Sequence, residues 1–159
     1  MNKIKILLST LSILLIVMVS CGDKKSNVDF SLKLSTYNSS IGESLRYVIK
    51  DSRLKITSNC DFEDCEKKLV YNYKFSSKDY TDFIEFIHGS GLDTLKNKYL
   101  GEGLDGRKIH INVASELIKA KKIRVKNFSH PGIEKILNSV NQFITEDSLK
   151  IKNLSNGSN

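Results

Sequence analysis

The chain has 159 residues, with 25 Lys and Arg against 18 Asp and Glu, and 40% of its residues are hydrophobic. This length predicts one domain, and the apolar fraction is that of a globular chain with a real core, not of a disordered one. The formal net charge of +7 points toward anionic partners, or serves solubility alone.

Lys3 and Lys5 precede an apolar run from Ile6 to Val19, too short for a permanent bilayer span, which takes roughly twenty residues. Residues 1–20 therefore read as a signal peptide. The run ends in Val17, Met18, Val19 and Ser20 directly before Cys21 and Gly22. This resembles the lipobox of bacterial lipoproteins, with Met18 where Leu is usual. The resemblance implies cleavage before Cys21 and acylation of its sulfur, giving a mature protein held to a membrane by lipid. Several acyl chains on one residue anchor stably where a single chain binds only marginally. Gly22 in place of Asp favours the outer over the inner membrane in a cell that has both. Residues 21–29 are polar except for Val28 and predict a flexible tether.

With Lys3 and Lys5 removed the charge falls to +5. For an envelope protein this points to anionic lipid or an acidic envelope partner before nucleic acid.

From Ser31 the chain alternates in the manner of half-buried strands. Leu32 and Leu34 share one face, then Leu45, Tyr47 and Ile49, and the turn at residues 50–53 leads into Leu54, Ile56 and Ser58 as a hairpin. Cys60 and Cys65 follow. In an exported domain this pair predicts a disulfide that stabilises by roughly 2 kcal/mol in the chain-entropy model. Structural zinc takes four ligands and no second Cys or His pair stands nearby, while Asp61, Glu63 and Asp64 lack the frame of a calcium loop. No metal or cofactor is expected.

Leu69, Tyr71, Tyr73 and Phe75 predict a further strand. Ser76 with Asp79 then resembles a capping box, and Tyr80, Phe83, Ile84 and Ile87 recur at helical spacing until Gly89, Ser90 and Gly91. Leu92, Leu95 and Tyr99 suggest a short helical turn. Residues 101–106 read GEGLDG, the glycine spacing of a dinucleotide-binding loop, but such a loop must leave a strand and enter a helix. Here it leads into Ile109, Ile111 and Val113, alternating with Lys108, His110 and Asn112. Asp105 and Gly106 are read as a turn with a positive-φ glycine, and no nucleotide is expected.

Ile123 and Val125 alternate with Lys122, Arg124 and Lys126, completing a second hairpin. Pro131 opens a helix with Ile133, Ile136, Leu137, Val140 and Ile144 on one face. Residues 147–159 predict a flexible tail, with a short edge strand through Leu149 and Ile151 as the alternative. The expected architecture is α+β: a single domain at residues 30–146, an antiparallel sheet of about five to six strands, and two helices packed on one face as a two-layer sandwich.

The stretch from Leu45 to Ile144 resembles a family of bacterial envelope lipoproteins of Bacteroidetes-type organisms. The residues that carry the resemblance are the Tyr47/Ile49 hairpin, the helix ending before Leu92 and Leu95, Tyr99, Asp105, the Ile109/Ile111 strand, the Lys-rich return strand and the Pro-led helix. The resemblance implies the fold and the envelope address and transfers no activity.

His88, His110 and His130 stand in no metal spacing, and no nucleophile elbow is present. His88 is expected to serve the end of the first helix, His130 to cap the last, and His110 to face solvent. No catalytic residue is expected and the chain is read as non-enzymatic. If the apolar strand residues face the helices, then Arg46, Lys50, Lys108, His110, Lys122, Arg124 and Lys126 project from the opposite face. That face is the candidate binding surface. The bland reading is that outward strand positions simply favour Lys. Two further classes stay open, an inhibitor of an acidic envelope or host hydrolase and an envelope enzyme with a pocket holding a histidine and an acid.

Overall fold

The computed structural model describes residues 29–39, 42–60, 66–102 and 106–152. The signal segment, Cys21, the tether up to Val28, Cys65 and the last seven residues lie outside them. Seven strands and two helices follow in the order β1 (Phe30–Asn38), β2 (Glu43–Lys50), β3 (Arg53–Cys60), β4 (Lys68–Lys74), α1 (Ser77–Gly89), a 3-10 turn (Leu92–Thr94), β5 (Lys98–Leu100), β6 (Arg107–Ser115), β7 (Lys121–Lys126), α2 (Pro131–Asn141) and a second 3-10 turn (Asp147–Leu149). The fold is α+β, as expected.

The strands form one sheet in the order β4-β3-β2-β1-β6-β7-β5. Every neighbouring pair is antiparallel except β5 with β7, which is parallel. The sheet therefore has seven strands and mixed pairing where five to six antiparallel strands were expected. The added strand is β5, a three-residue segment through Tyr99; the short helical turn expected over Leu92, Leu95 and Tyr99 forms at Leu92–Thr94 and ends before it. So short a segment carries too little periodicity to announce itself, and its pairing to β7 decides its conformation.

Local chemistry accounts for the elements. The β2–β3 turn places Asp51 and Ser52 at φ 51° and 56°, the left-handed pair of a two-residue hairpin turn, which small polar residues tolerate. Ser76 caps α1 by accepting from the Asp79 N–H at 3.1 Å, and His130 caps α2 through Nδ1, which accepts from the Gly132 N–H at 3.2 Å. Both caps fall where the sequence put them.

The inward residues of the sheet and the buried faces of both helices form one core. Phe30, Leu32 and Leu34 of the central strand lie at its middle, with Ile49, Ile56, Ile109 and Ile111 on flanking strands and Ile87, Ile133 and Leu137 from the helices. An aromatic cluster closes the β4 side. Phe75 stacks on Phe143 with ring centres 4.6 Å apart and Tyr73 packs edge-on against Phe75 at 5.2 Å. A register irregularity in β4 sets Leu69 opposite Thr57, while Tyr71 stands opposite Ile56. Leu69 thus faces outward and does not share the inner face of Tyr71 and Tyr73, because the bulge breaks the alternation that predicted it there.

The domain also extends past Glu146. Leu149 and Ile151 are buried, the Tyr47 hydroxyl donates to the Leu149 carbonyl at 2.9 Å, and the Asn141 side chain both donates to and accepts from the backbone of Ile151 at 2.8 Å. Residues 147–151 are therefore part of the fold. They were expected as a tail because two isolated apolar residues form no pattern, and neither one makes an edge strand.

Burial pushes the Tyr47 hydroxyl up to about 12 from an ordinary value of 10.0. A raised folded-state value means stability that is intact below pH 10 and lost as pH rises toward 12. Urea unfolding should show Leu149→Ala costing about 2–3 kcal/mol and Tyr47→Phe about 1–2 kcal/mol at neutral pH. The Phe variant should also lose less stability than the parent between pH 10 and 12.

Candidate functional site

Alternation along paired strands sorts side chains onto two faces, and one face is covered by the helices. The other presents Arg46 and Lys50 of β2, Lys108 and His110 of β6, and Lys122, Arg124 and Lys126 of β7. All seven sequence-derived residues thus lie on one side of one sheet. Arg46, Lys50, His110, Lys122 and Arg124 are exposed, while Lys108 and Lys126 are half-buried. The same face carries Lys33, Arg53, Lys55, Lys74 and Lys98, which the sequence reading left out. The signal for most of them was present, since Lys33 alternates with Leu32 and Leu34, and Arg53 and Lys55 with Leu54 and Ile56.

Register decides which cations are neighbours. Arg53 stands directly opposite both Lys50 and Lys74. Arg124 stands between His110 and Lys98, and Lys108 opposite Lys126. Like charges at directly opposed positions, as at Arg53–Lys50, Arg53–Lys74 and Arg124–Lys98, each cost a few tenths to about 1 kcal/mol. The strands hold one acidic residue, Glu43, whose partners Asn38 and Cys60 place it on the helix-covered side with Leu45 and Tyr47. Lys150 pairs with Asp147 at 2.7 Å at the C-terminal 3-10 turn. The single aromatic partner on the face is Tyr37, with the Lys108 ammonium 5.3 Å from its ring centre.

The opposite layer is acidic along α1, where Asp79, Asp82 and Glu85 outnumber Lys78. Asp79 and Asp82 line a groove of about 520 Å³ between the helices, with Phe83, Phe86 and Lys135. Charge is therefore segregated, positive on the open sheet and negative on the outer helix surface.

The three histidines have separate roles. His110 is exposed, and His130 caps α2 while stacking on Tyr99 with ring centres 4.8 Å apart. His88 lies in the last turn of α1, its Nε2 3.1 Å from the Ser115 hydroxyl, beside an open pocket of about 530 Å³ lined by Leu92, Asp93, Ile118 and Lys121. The Ser115 oxygen also accepts from the N–H groups of Leu117 and Ile118, both at 3.1 Å. The His88 ring and the N–H groups of Leu117 and Ile118 thus meet at one hydroxyl. Through these contacts the hydroxyl ties the β6–β7 loop to the end of α1. Among the described residues no three His, Cys, Asp or Glu side chains gather to hold a metal ion.

The described glycines of GEGLDG, Gly101 and Gly106, lie against Asn127. The Gly101 N–H donates to the Lys126 carbonyl at 2.8 Å, and Asn127 Nδ2 donates to the Glu102 carbonyl at 3.0 Å. A Cβ on Gly101 would lie 1.9 Å from the Asn127 carbonyl oxygen, and one on Gly106 would lie 1.9 Å from Asn127 Oδ1. Gly106 has φ 143°, the positive value expected of it, and Gly103, Leu104 and Asp105 lie outside the described residues. The loop joins strand β5 to strand β6, so no helix N-terminus meets it. Asn127 was missed because it sits in a turn 26 positions from Gly101 with no local motif.

Cys60 ends β3, while its expected partner Cys65 and the lipidation site Cys21 both lie outside the described residues. Among the described residues no helix is long and apolar enough to cross a membrane. No protein-family model matches the chain, and no curated protein matches it.

Gly101→Ala should destabilise the domain by about 2–3 kcal/mol in urea unfolding, since the backbone of Asn127 must yield to it. Adding adenine dinucleotides or ATP to the parent chain should leave its melting temperature unchanged, because Asn127 packs against Gly101 and Gly106 and the segment joins strand to strand.

Proposed function

We propose that the protein is a lipid-anchored component of a bacterial cell envelope whose open sheet face binds an anionic partner. The observation that carries this reading is the absence of any acidic side chain at the outward positions of the described strands, together with Arg53 opposite Lys50 and Lys74 and Arg124 opposite Lys98. Stability alone selects against such rows. A partner with closely spaced negative charges would relieve the repulsion and bind in the same act, so ligand binding and domain stability are coupled.

The anchor follows from the apolar run ending at Ser20 and Cys21. It brings the domain to a surface where lipid head groups and acidic polymers are abundant. The Cys60–Cys65 pair fits the same oxidising compartment and would clip the loop between β3 and β4. Binding and display are the function, and none of the histidines is assigned a catalytic role.

Intact mass of protein purified from its own membrane should correspond to cleavage before Cys21 plus acyl chains, with Cys60 and Cys65 resisting alkylation until reduced. An unacylated mass with two reactive thiols would remove the anchor and the compartment together. For the face, the triple variant Lys122→Glu, Arg124→Glu, Lys126→Glu should lose binding to soluble polyanions such as dextran sulfate. The parent should bind less as salt rises and should melt higher in the polyanion at low salt. Equal binding by parent and triple variant would refute the role of the face.

A further inference from the structure

We infer that the partner of the basic face is the anionic bilayer itself, on which the sheet lies flat with Leu69 and Leu100 entering the interface at its two edges. This rests on the anionic-partner reading of the same face and adds the apolar contacts that a membrane requires.

Leu69 and Leu100 are among the most exposed large hydrophobic residues, at 52% and 55%. Their placement is not scattered. Leu69 stands opposite Thr57, whose neighbour Ile56 faces the core, so the leucine points outward. Leu100 stands beside Lys126, whose neighbour Val125 is likewise buried, so it points outward as well. Strands β4 and β5 are the two edges of the sheet. The leucines therefore rim the basic face on opposite sides, six strand spacings of about 4.8 Å apart, or roughly 29 Å. A soluble polyanion has no use for apolar side chains at the rims of a basic face, whereas a bilayer offers head-group charge to the cations and an apolar interior to each leucine. Lys and Arg stems reach past apolar contacts to the head groups, so cations and leucines engage at one depth.

The chain's own connection gives a third point. Residues 22–29 lead from Cys21 into β1 at Phe30, and eight residues span at most roughly 28 Å at 3.3–3.6 Å each. Following the register across the sheet, Leu69 aligns with Ser35 and Leu100 with Tyr37 of β1. Both leucines thus lie five to seven residues, about 17–23 Å, along the strand from the tethered end. A lipid on Cys21 would thus be a third contact that leaves both leucines within reach of the same surface.

The chain contains no tryptophan, so a single introduced indole reports without background. The mature chain carrying Cys21→Ser, which removes the anchor, is prepared with Leu69→Trp or Leu100→Trp and mixed with vesicles of phosphatidylcholine and phosphatidylglycerol at about three to one. Both indoles should shift to the blue and be quenched by bromines placed on the acyl chains, and neither should respond to phosphatidylcholine alone. In a sedimentation assay, Leu69→Ser with Leu100→Ser should weaken vesicle binding by about tenfold or more while leaving dextran sulfate binding intact. Unshifted emission at both sites on vesicles that capture the protein would overturn the inference, as would vesicle binding equal to the parent's in the double serine variant. In either case the anionic-partner reading survives. If instead the Lys122, Arg124 and Lys126 reversal leaves both vesicle and dextran sulfate binding unchanged, both readings fail.

Discussion

A slip of one residue along β1 would turn Phe30, Leu32 and Leu34 to solvent and drive Lys33 into the core. Because side chains alternate with a period of two, the register of this central strand is tied to burial of its apolar set. β1 pairs with β2 on one side and β6 on the other, so the same constraint passes outward to every strand. The core on one face and the cations on the other are a single fact about register.

The energetic balance of the two faces differs. The inner face gains from burying residues such as Ile49, Ile56, Ile109 and Ile111, each nearly inaccessible to solvent, and a buried aliphatic side chain contributes about 1.5–3 kcal/mol. The outer face loses a few tenths to 1 kcal/mol at each directly opposed cation pair. The core easily carries that loss, which leaves the open face free to hold a charge pattern that stability does not favour. The helices take the opposite sign along α1, so the domain has a positive side and a negative one.

Polar groups at the ends of the elements are mostly consumed within the fold. Ser115 gathers two N–H groups and His88 around one oxygen, His130 caps α2, and Asn127 fills the loop whose glycines suggest a nucleotide site. Each is a residue type that carries chemistry elsewhere. Here each makes hydrogen bonds within the fold, while the open sheet carries a charge pattern that stability does not favour.

Much of this was legible in local pattern. The alternation of Leu45, Tyr47 and Ile49, the Ser76 and His130 caps, the helical spacing from Tyr80 to Ile87 and the turn at Asp51–Ser52 depend on residues close in the chain, and periodicity reports such relations directly. What tertiary structure alone decided is pairing. It set β1 at the centre and β5 parallel at an edge, turned Leu69 outward through a bulge, brought Leu149 and Ile151 under Tyr47, seated Asn127 in the glycine loop, and chose which cations stand opposite one another. Those outcomes depend on contacts between residues tens of positions apart, whose free energy exists only once the sheet has closed around its core, and no stretch of sequence carries that information by itself.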